Sequence, residues 1–499
     1  ALTLATQEPS KEYQRFAANV ILHWKQLYAE ESGFQHRLLS LSHDPEVTRL
    51  RTAINTKRAA LSQALHNKKK AAADIRTLLV DLQKNEQALL AFSRRFKPTL
   101  EVSGVNSDQV LPSLPARSAL VEYRFFNPVD FKTGKFGKLH VAALVLLADP
   151  EAKEQIVFRD LGPLSELTTK GKGREALYNW LLAPFEKHIS QLKQLYIAPD
   201  NILALVPFAA LHLPDGRFLA ERQAVCRLQT GRDLLVSRSN TVGTDLIALG
   251  GVDYGIMPKT QAVSKGLEQV LAVSPALRAA RQLGQISYLP ESKQEAVGIA
   301  DLFTAHTKRG KAHIFLGKEA GEHRLKQMEK PPRILHLSTH GFYSADDEDS
   351  PLADQAPLLL SGLALAGANN GLQGDLDKHG DDGLLYSLEV LGLNLQGTEL
   401  VSLSACDTGK GVVDYSEGVY GLVRAFRTAG AKNVLMTLTP VGDKSSRDFM
   451  ETFYDNWLSS EDNISPAQAL HKTRLDFIHH KDPAFRDPTV WSPYVLVGK

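Results

Sequence analysis

The sequence predicts an α/β protein with a helical region in front, on three observations. From about residue 118 to the C-terminus, short apolar runs of strand length alternate with helical segments, which is the pattern of a mostly parallel sheet flanked by helices. Two of those runs, 333–341 and 400–409, each end in a reactive residue and then a glycine-bearing loop. Residues from about 10 to 97 carry Pro45 as their one proline and are rich in Ala, Leu, Lys, Gln and Arg, which favours helix.

Composition narrows the function. The chain has 499 residues and is 43% hydrophobic, enough for more than one core. Its formal net charge of +2 gives no whole-chain case for nucleic acid or membrane binding. Two cysteines, Cys226 and Cys406, argue against a disulfide framework and fit a reducing cytoplasm. No stretch approaches the roughly 20 apolar residues of a membrane span. The chain opens on Ala1 with neither an initiator Met nor a signal-like apolar core, which fits either a piece of a longer protein or removal of the initiator Met.

The elements follow in order. In the first region (1–97), Leu65, Ala72, Ile75, Leu79, Leu82 and Leu89 form a seam for an antiparallel hairpin or short coiled coil. His43-Asp44-Pro45 reads as a break, with Asp44 as N-cap and Pro45 at the first helical position. Residues 98–117 contain Pro98, Gly104, Pro112 and Pro115 and read as a linker. In 118–243 the strands are expected at 119–125, 139–147, 155–158 and 194–198, with a helix over 175–191. Cys226 lies in an alternating run and reads as a buried strand cysteine. In 244–499 strands are expected at 246–252, 312–316, 334–337, 400–403, 433–438 and 495–497. Helices are expected at 291–303, 417–429, 447–458 and 465–479, the last with Ser465 as N-cap. The polar stretch 346–382, interrupted by apolar 358–365, reads as long loops that shape a binding site.

In a parallel sheet, ligands and catalytic groups collect at the C-terminal strand ends. If the strands before His340 and Cys406 are neighbours, both side chains meet at one sheet edge. A cysteine nucleophile needs a base or imidazolium within hydrogen-bond reach, and this pair supplies both partners. His336 shares a strand face with His340 and reads as structural, and His379 reads as a solvated loop histidine. The run 375–382 departs from EF-hand spacing, so no metal site is expected there, and no cofactor is implied.

The motifs Leu335-His336-Leu337-Ser338-Thr339-His340-Gly341 and Leu403-Ser404-Ala405-Cys406-Asp407-Thr408-Gly409 resemble those of the CHAT family. These are caspase-like cysteine peptidases of the separase and caspase clan, often found behind tetratricopeptide repeats. Ile197-Ala198-Pro199-Asp200, Val206-Pro207-Phe208, Glu417-Gly418 and Arg424-Ala425-Phe426 extend the resemblance in the family's order. It departs at Thr439-Pro440-Val441-Gly442-Asp443, where relatives tend to carry Trp before the Pro and paired acids after the Val.

The resemblance implies two caspase-like α/β/α units, an inactive one over 118–243 and an active peptidase over 244–499. It implies Cys406 as nucleophile, His340 as its acid and base, and the backbone N–H groups of Gly341 and Cys406 as the oxyanion site. In related enzymes the residue two before the cysteine lines the specificity pocket; here that is the small, neutral Ser404. Asp407 is a second substrate-binding candidate, able to favour a basic side chain. The implied protein is a regulated bacterial protease of stress, defence or cell death. Its partners would be a protein substrate and either an activating protein or the upstream repeats. The alternatives are a non-catalytic scaffold or partner-binding module, and a thiol hydrolase of another class.

Overall fold

The computed structural model describes residues 1–25, 44–66, 72–94, 104–149, 152, 154–166, 173–235, 243–256, 286–343, 358, 361–404, 415–461 and 463–498. The strands among them are β1 Ser118–Phe126, β2 His140–Ala148, β3 Ile156–Pro163, β4 Gln194–Ala198, β5 Ala224–Arg227, β6 Leu246–Val252 and β7 Ala312–Gly317. They continue with β8 Ile334–Ser338, β9 His340–Tyr343, β10 Ser361–Ala364, β11 Leu384–Tyr386, β12 Leu400–Ser404, β13 Asn433–Thr437 and β14 Tyr494–Val497. The main helices are α1 Lys11–Trp24, α2 Pro45–His66, α3 Ala72–Arg94, α4 Arg174–Leu181 and α5 Pro290–His306. They continue with α6 Glu322–Lys326, α7 Tyr415–Ala429, α8 Asp443–Leu458 and α9 Pro466–Ile478. The fold is α/β with helices in front, as the alternation of runs implies.

The chain forms two compact units: residues 1–27, 100–237 and 464–499 in one, and 28–99 and 238–463 in the other. The first unit holds strands in the order β3-β2-β1-β4-β5-β14. β1 pairs antiparallel with β2, and β2 with β3, while β1–β4, β4–β5 and β5–β14 are parallel. Tyr123, Tyr178, Phe185 and Phe208 fill a core on this sheet. The helix expected over 175–191 stops at Leu181 and resumes as a 3-10 turn at Ala183–Phe185 and a short helix at Glu186–Ile189. Pro184 explains the break, since its ring cannot continue a helix interior. Lys25, just past α1, is buried: its Nζ lies 3.4 Å from Glu122 and donates to the carbonyls of Tyr123 and Ala198. Three acceptors around one ammonium are what such burial requires.

The second unit holds an all-parallel sheet in the order β13-β12-β8-β6-β7 and a small antiparallel sheet β11-β10-β9. Every residue of β8 and of β12 is buried, so both faces are covered. α5 lies along β6 so closely that a Cβ on Gly250 would come 2.2 Å from the Ser292 carbonyl oxygen. α2 and α3 belong to this unit and pack as an antiparallel pair, tied by Lys57–Asp81 at 3.0 Å and Arg58–Glu86 at 3.1 Å. Leu82 and Leu89 of the expected seam are buried in it. Asp44 caps α2, its Oδ1 accepting from the Glu46 and Val47 amides.

Ser465 caps α9 as the sequence implies: its Oγ accepts from the Gln468 amide, and Gln468 Oε1 accepts from the Ser465 amide at 2.8 Å. Ser465→Ala should cost about 1 kcal/mol, read as a lower denaturant midpoint with unchanged helical circular dichroism.

Candidate active site

Parallel pairing of β8 with β12 sets the frame. Leu400 lies opposite Ile334, and the register runs to Ser404 opposite Ser338. The Thr339 amide then donates to the Ser404 carbonyl at 3.1 Å, which extends the pairing by one bond past Ser338. His340 is the second residue past Ser338. In sequence, Cys406 is the second residue past Ser404, and it lies outside the described residues together with Asp407 and 344–350.

His340 is 3% exposed. Its Nε2 lies 2.7 Å from the Ser287 carbonyl oxygen. A carbonyl only accepts, so Nε2 carries the proton and Nδ1 is left as the basic nitrogen of the neutral ring. The Tyr254 ring packs at 5.3 Å between centroids, tilted 57°. Thr339 Oγ1 donates to the Ala364 carbonyl, so the Tyr254 hydroxyl, 2.9 Å away, donates to Thr339. Burial pushes the Tyr254 phenol well above its ordinary range, so it remains a neutral donor. His340 also opens β9, opposite Ala364 of β10, and Gly341 lies opposite Leu363.

The Ser287 carbonyl is itself held in place. Asn369, 1% exposed, accepts from the Ile286 amide at 3.0 Å and donates to the Ile286 carbonyl at 3.0 Å and the Gly255 carbonyl at 3.1 Å. Backbone bonds from the Gly367 amide to the Asp253 carbonyl and from the Asn369 amide to the Tyr254 carbonyl fix the segment that carries Asn369 to the residues just past β6. One amide side chain thus joins three loops around the histidine. Neither Asn369 nor Ser287 stood out in the sequence, because their partners are remote along the chain.

A profile of the CHAT domain matches residues 172–499. The chain belongs to the CHAT domain family. Its sequence is similar to tetratricopeptide repeat protein 28 of Homo sapiens, 24% identical over 346 residues, which are 65% of this chain and 13% of that protein. The Mus musculus protein of the same name is 32% identical over 116 residues, 23% of this chain and 4% of that protein. The chain therefore spans a small part of the length of these relatives. Among solved structures, the Saccharomyces cerevisiae separase–securin complex aligns with a TM-score of 0.31 and 12% identity, over 65% of this chain and 17% of that one. The Arg-specific cysteine proteinase gingipain R aligns with a TM-score of 0.37 and 9% identity, over 67% of this chain and 69% of that one.

Within the CHAT domain, the other singled-out residues fall as follows. Ser404 is buried at the end of β12, its hydroxyl 2.9 Å from that of Ser446 on α8. His336 is fully buried, with Nε2 3.0 Å from Glu295 on α5 and Nδ1 3.4 Å from the Tyr454 hydroxyl on α8, a structural setting between two helices. Cys226 is buried in β5, accepts from Gln194 Nε2 at 3.0 Å, and burial pushes its thiol up to about 11, which makes it unreactive. No helix among the described residues is long and apolar enough to cross a membrane.

A buried charge cluster supports the small sheet that carries His340. Lys326 Nζ lies 2.6 Å from Glu322, 2.9 Å from Asp381 and 2.9 Å from Glu389. Glu322 accepts from the Gly383 amide, and Glu389 from the Tyr386 amide, so the carboxylates frame β11. Burial first, then neighbouring carboxylates, pushes Glu322 and Glu389 up to about 7, although Lys326 works against it. Folded carboxyls hold protons between about pH 4.5 and 7 that the unfolded chain releases, so stability falls as pH rises through that window. The denaturant midpoint should drop between pH 5 and 8 in the wild type and drop less in Glu389→Gln. Asn369→Leu should cost about 1–3 kcal/mol by stranding buried polar groups, with faster hydrogen exchange concentrated at 286–289.

Proposed function

We propose that this CHAT chain is a cysteine endopeptidase. The observation that supports it most is the β8–β12 register, which ends both strands level, with His340 and Cys406 each two residues beyond the last pair. In this reading Cys406 attacks the scissile carbonyl carbon through its thiolate. His340 Nδ1 takes the thiol proton and returns it to the leaving amine. Water, deprotonated by the same nitrogen, then hydrolyses the acyl-enzyme. The Ser287 carbonyl suits this role, since it accepts from Nε2 in both the neutral and the charged ring and leaves Nδ1 for the thiol. The backbone N–H groups of Gly341 and Cys406 bind the oxyanion. Ser404 and Asp407 border the pocket for the residue before the cleaved bond, and neither Ser404 nor the net charge demands a charged substrate. Residues 244–499 carry the reaction, and 118–243 form a catalytically silent counterpart.

The reading extends to a regulated bacterial protease in the cytoplasm, acting on a small set of proteins in stress, defence or cell-death signalling. An activating protein or repeats preceding this segment would control it. A second reading, a partner-binding module without catalysis, draws support from relatives named for their repeats, of which this chain spans a small part.

Cleavage of a diverse peptide library separates the two. Wild type should cleave a subset of peptides, and Cys406→Ala and His340→Ala should each lose roughly a thousandfold or more in kcat/KM. Reactive peptide ketones should label Cys406 even where turnover is slow. Cleavage that survives both substitutions would overturn the mechanism. Absence of both cleavage and labelling in the wild type would favour the binding module.

A further inference from the structure

The second unit carries a group of metal-ligating side chains outside the site above. His323 on α6, Asp377 and His379 each offer a ligand atom, and these atoms lie within 4.8 Å of one another. The two imidazoles stack at 4.1 Å between centroids with 21° between planes. His323 Nδ1 is buried and makes no hydrogen bond to the described residues. The ring fits there because residue 321 is glycine: a Cβ at that position would lie 2.9 Å from Nδ1. The opposing turn is built to present its two ligands together. Asp377 Oδ1 accepts from the amides of His379 at 2.7 Å and Asp381 at 2.9 Å. Gly380 closes the turn at φ 84° and donates to the Asp377 carbonyl.

We propose that His323, Asp377 and His379 bind a divalent transition-metal ion of the Zn²⁺ type. Two imidazoles and one carboxylate suit such an ion, whereas Ca²⁺ and Mg²⁺ take oxygen ligands. Tetrahedral ligands around Zn²⁺ lie about 3.4 Å apart, given Zn–N bonds near 2.0–2.1 Å. Binding would draw the present spacing in to that distance and turn the two stacked rings so that their nitrogens converge on the ion. With three protein ligands, water completes the shell. The bound ion would also give the buried His323 nitrogen a partner. It would clip the 377–380 turn to α6, the helix that already holds the next residues through Lys326–Asp381 and Glu322–Gly383. The run 375–382 does not show the site by itself, because the third ligand, His323, is remote in sequence.

The test uses the full chain carrying Cys406→Ala, so that the thiol does not compete for metal. After chelator stripping, Zn²⁺ is titrated against a chromophoric competitor. One equivalent should bind, and Co²⁺ in its place should show visible ligand-field absorption. His379→Ala, at an exposed turn, should weaken binding about tenfold or more. His313→Ala, another partly exposed histidine of the same unit, should leave it unchanged. Failure of the parent to bind an equivalent, or equal affinity in His379→Ala and His313→Ala, would overturn the proposal.

Discussion

The site depends on one backbone constraint, the parallel pairing of Ile334–Ser338 with Leu400–Ser404. Parallel strands end at the same edge, so a reactive residue just past each is delivered to that edge without any long-range search. The constraint holds because both strands are buried on both faces, and a slip of register by one would turn every side chain onto the wrong face. Ser402 and Ser404 lie on the face that meets α8, beside His336, which fixes which way each strand faces.

Around that frame, polar contacts orient the histidine. His340 is held by its backbone in β9, by Tyr254 across its ring, and by the Ser287 carbonyl at Nε2. Asn369 then holds the segment that presents Ser287. Tyr254 and Asn369 are buried, so loss of either strands its partners. The Lys326 cluster plays the matching part on the far side of the small sheet. There a single ammonium faces three carboxylates, and the carboxyls respond to pH where a surface cluster would not.

Much of this was legible in the chain. The strands at 246–252, 334–337 and 400–403 read as apolar runs bounded by turn residues, and the Ser465-Pro466 start of α9 read from capping chemistry alone. The interruption after Leu181 was not read, although Pro184 signals it. The small sheet was harder. β10 sits at 361–364 inside a Gly- and Asp-rich stretch, and its partners β9 and β11 are short, so no run has the length that periodicity needs. Asn369 and Ser287 act through backbone groups of distant loops, and His323 joins Asp377 and His379 only in three dimensions. Sequence spacing records none of these relations. His336 is buried between Glu295 and Tyr454, as a structural residue would be, but not through a strand face shared with His340: β8 ends at Ser338, and His340 opens β9 in the other sheet.

The most direct measurement is the pH dependence of Cys406 alkylation in the wild type and in His340→Gln, with buried Cys226 as the internal reference. If the two strand ends deliver the imidazole to the thiol, Cys406 reacts well below the ordinary thiol pKa of about 8.5. His340→Gln then moves its profile back toward that value. Identical profiles in the two proteins would contradict the account, since they would place the histidine out of reach of the cysteine.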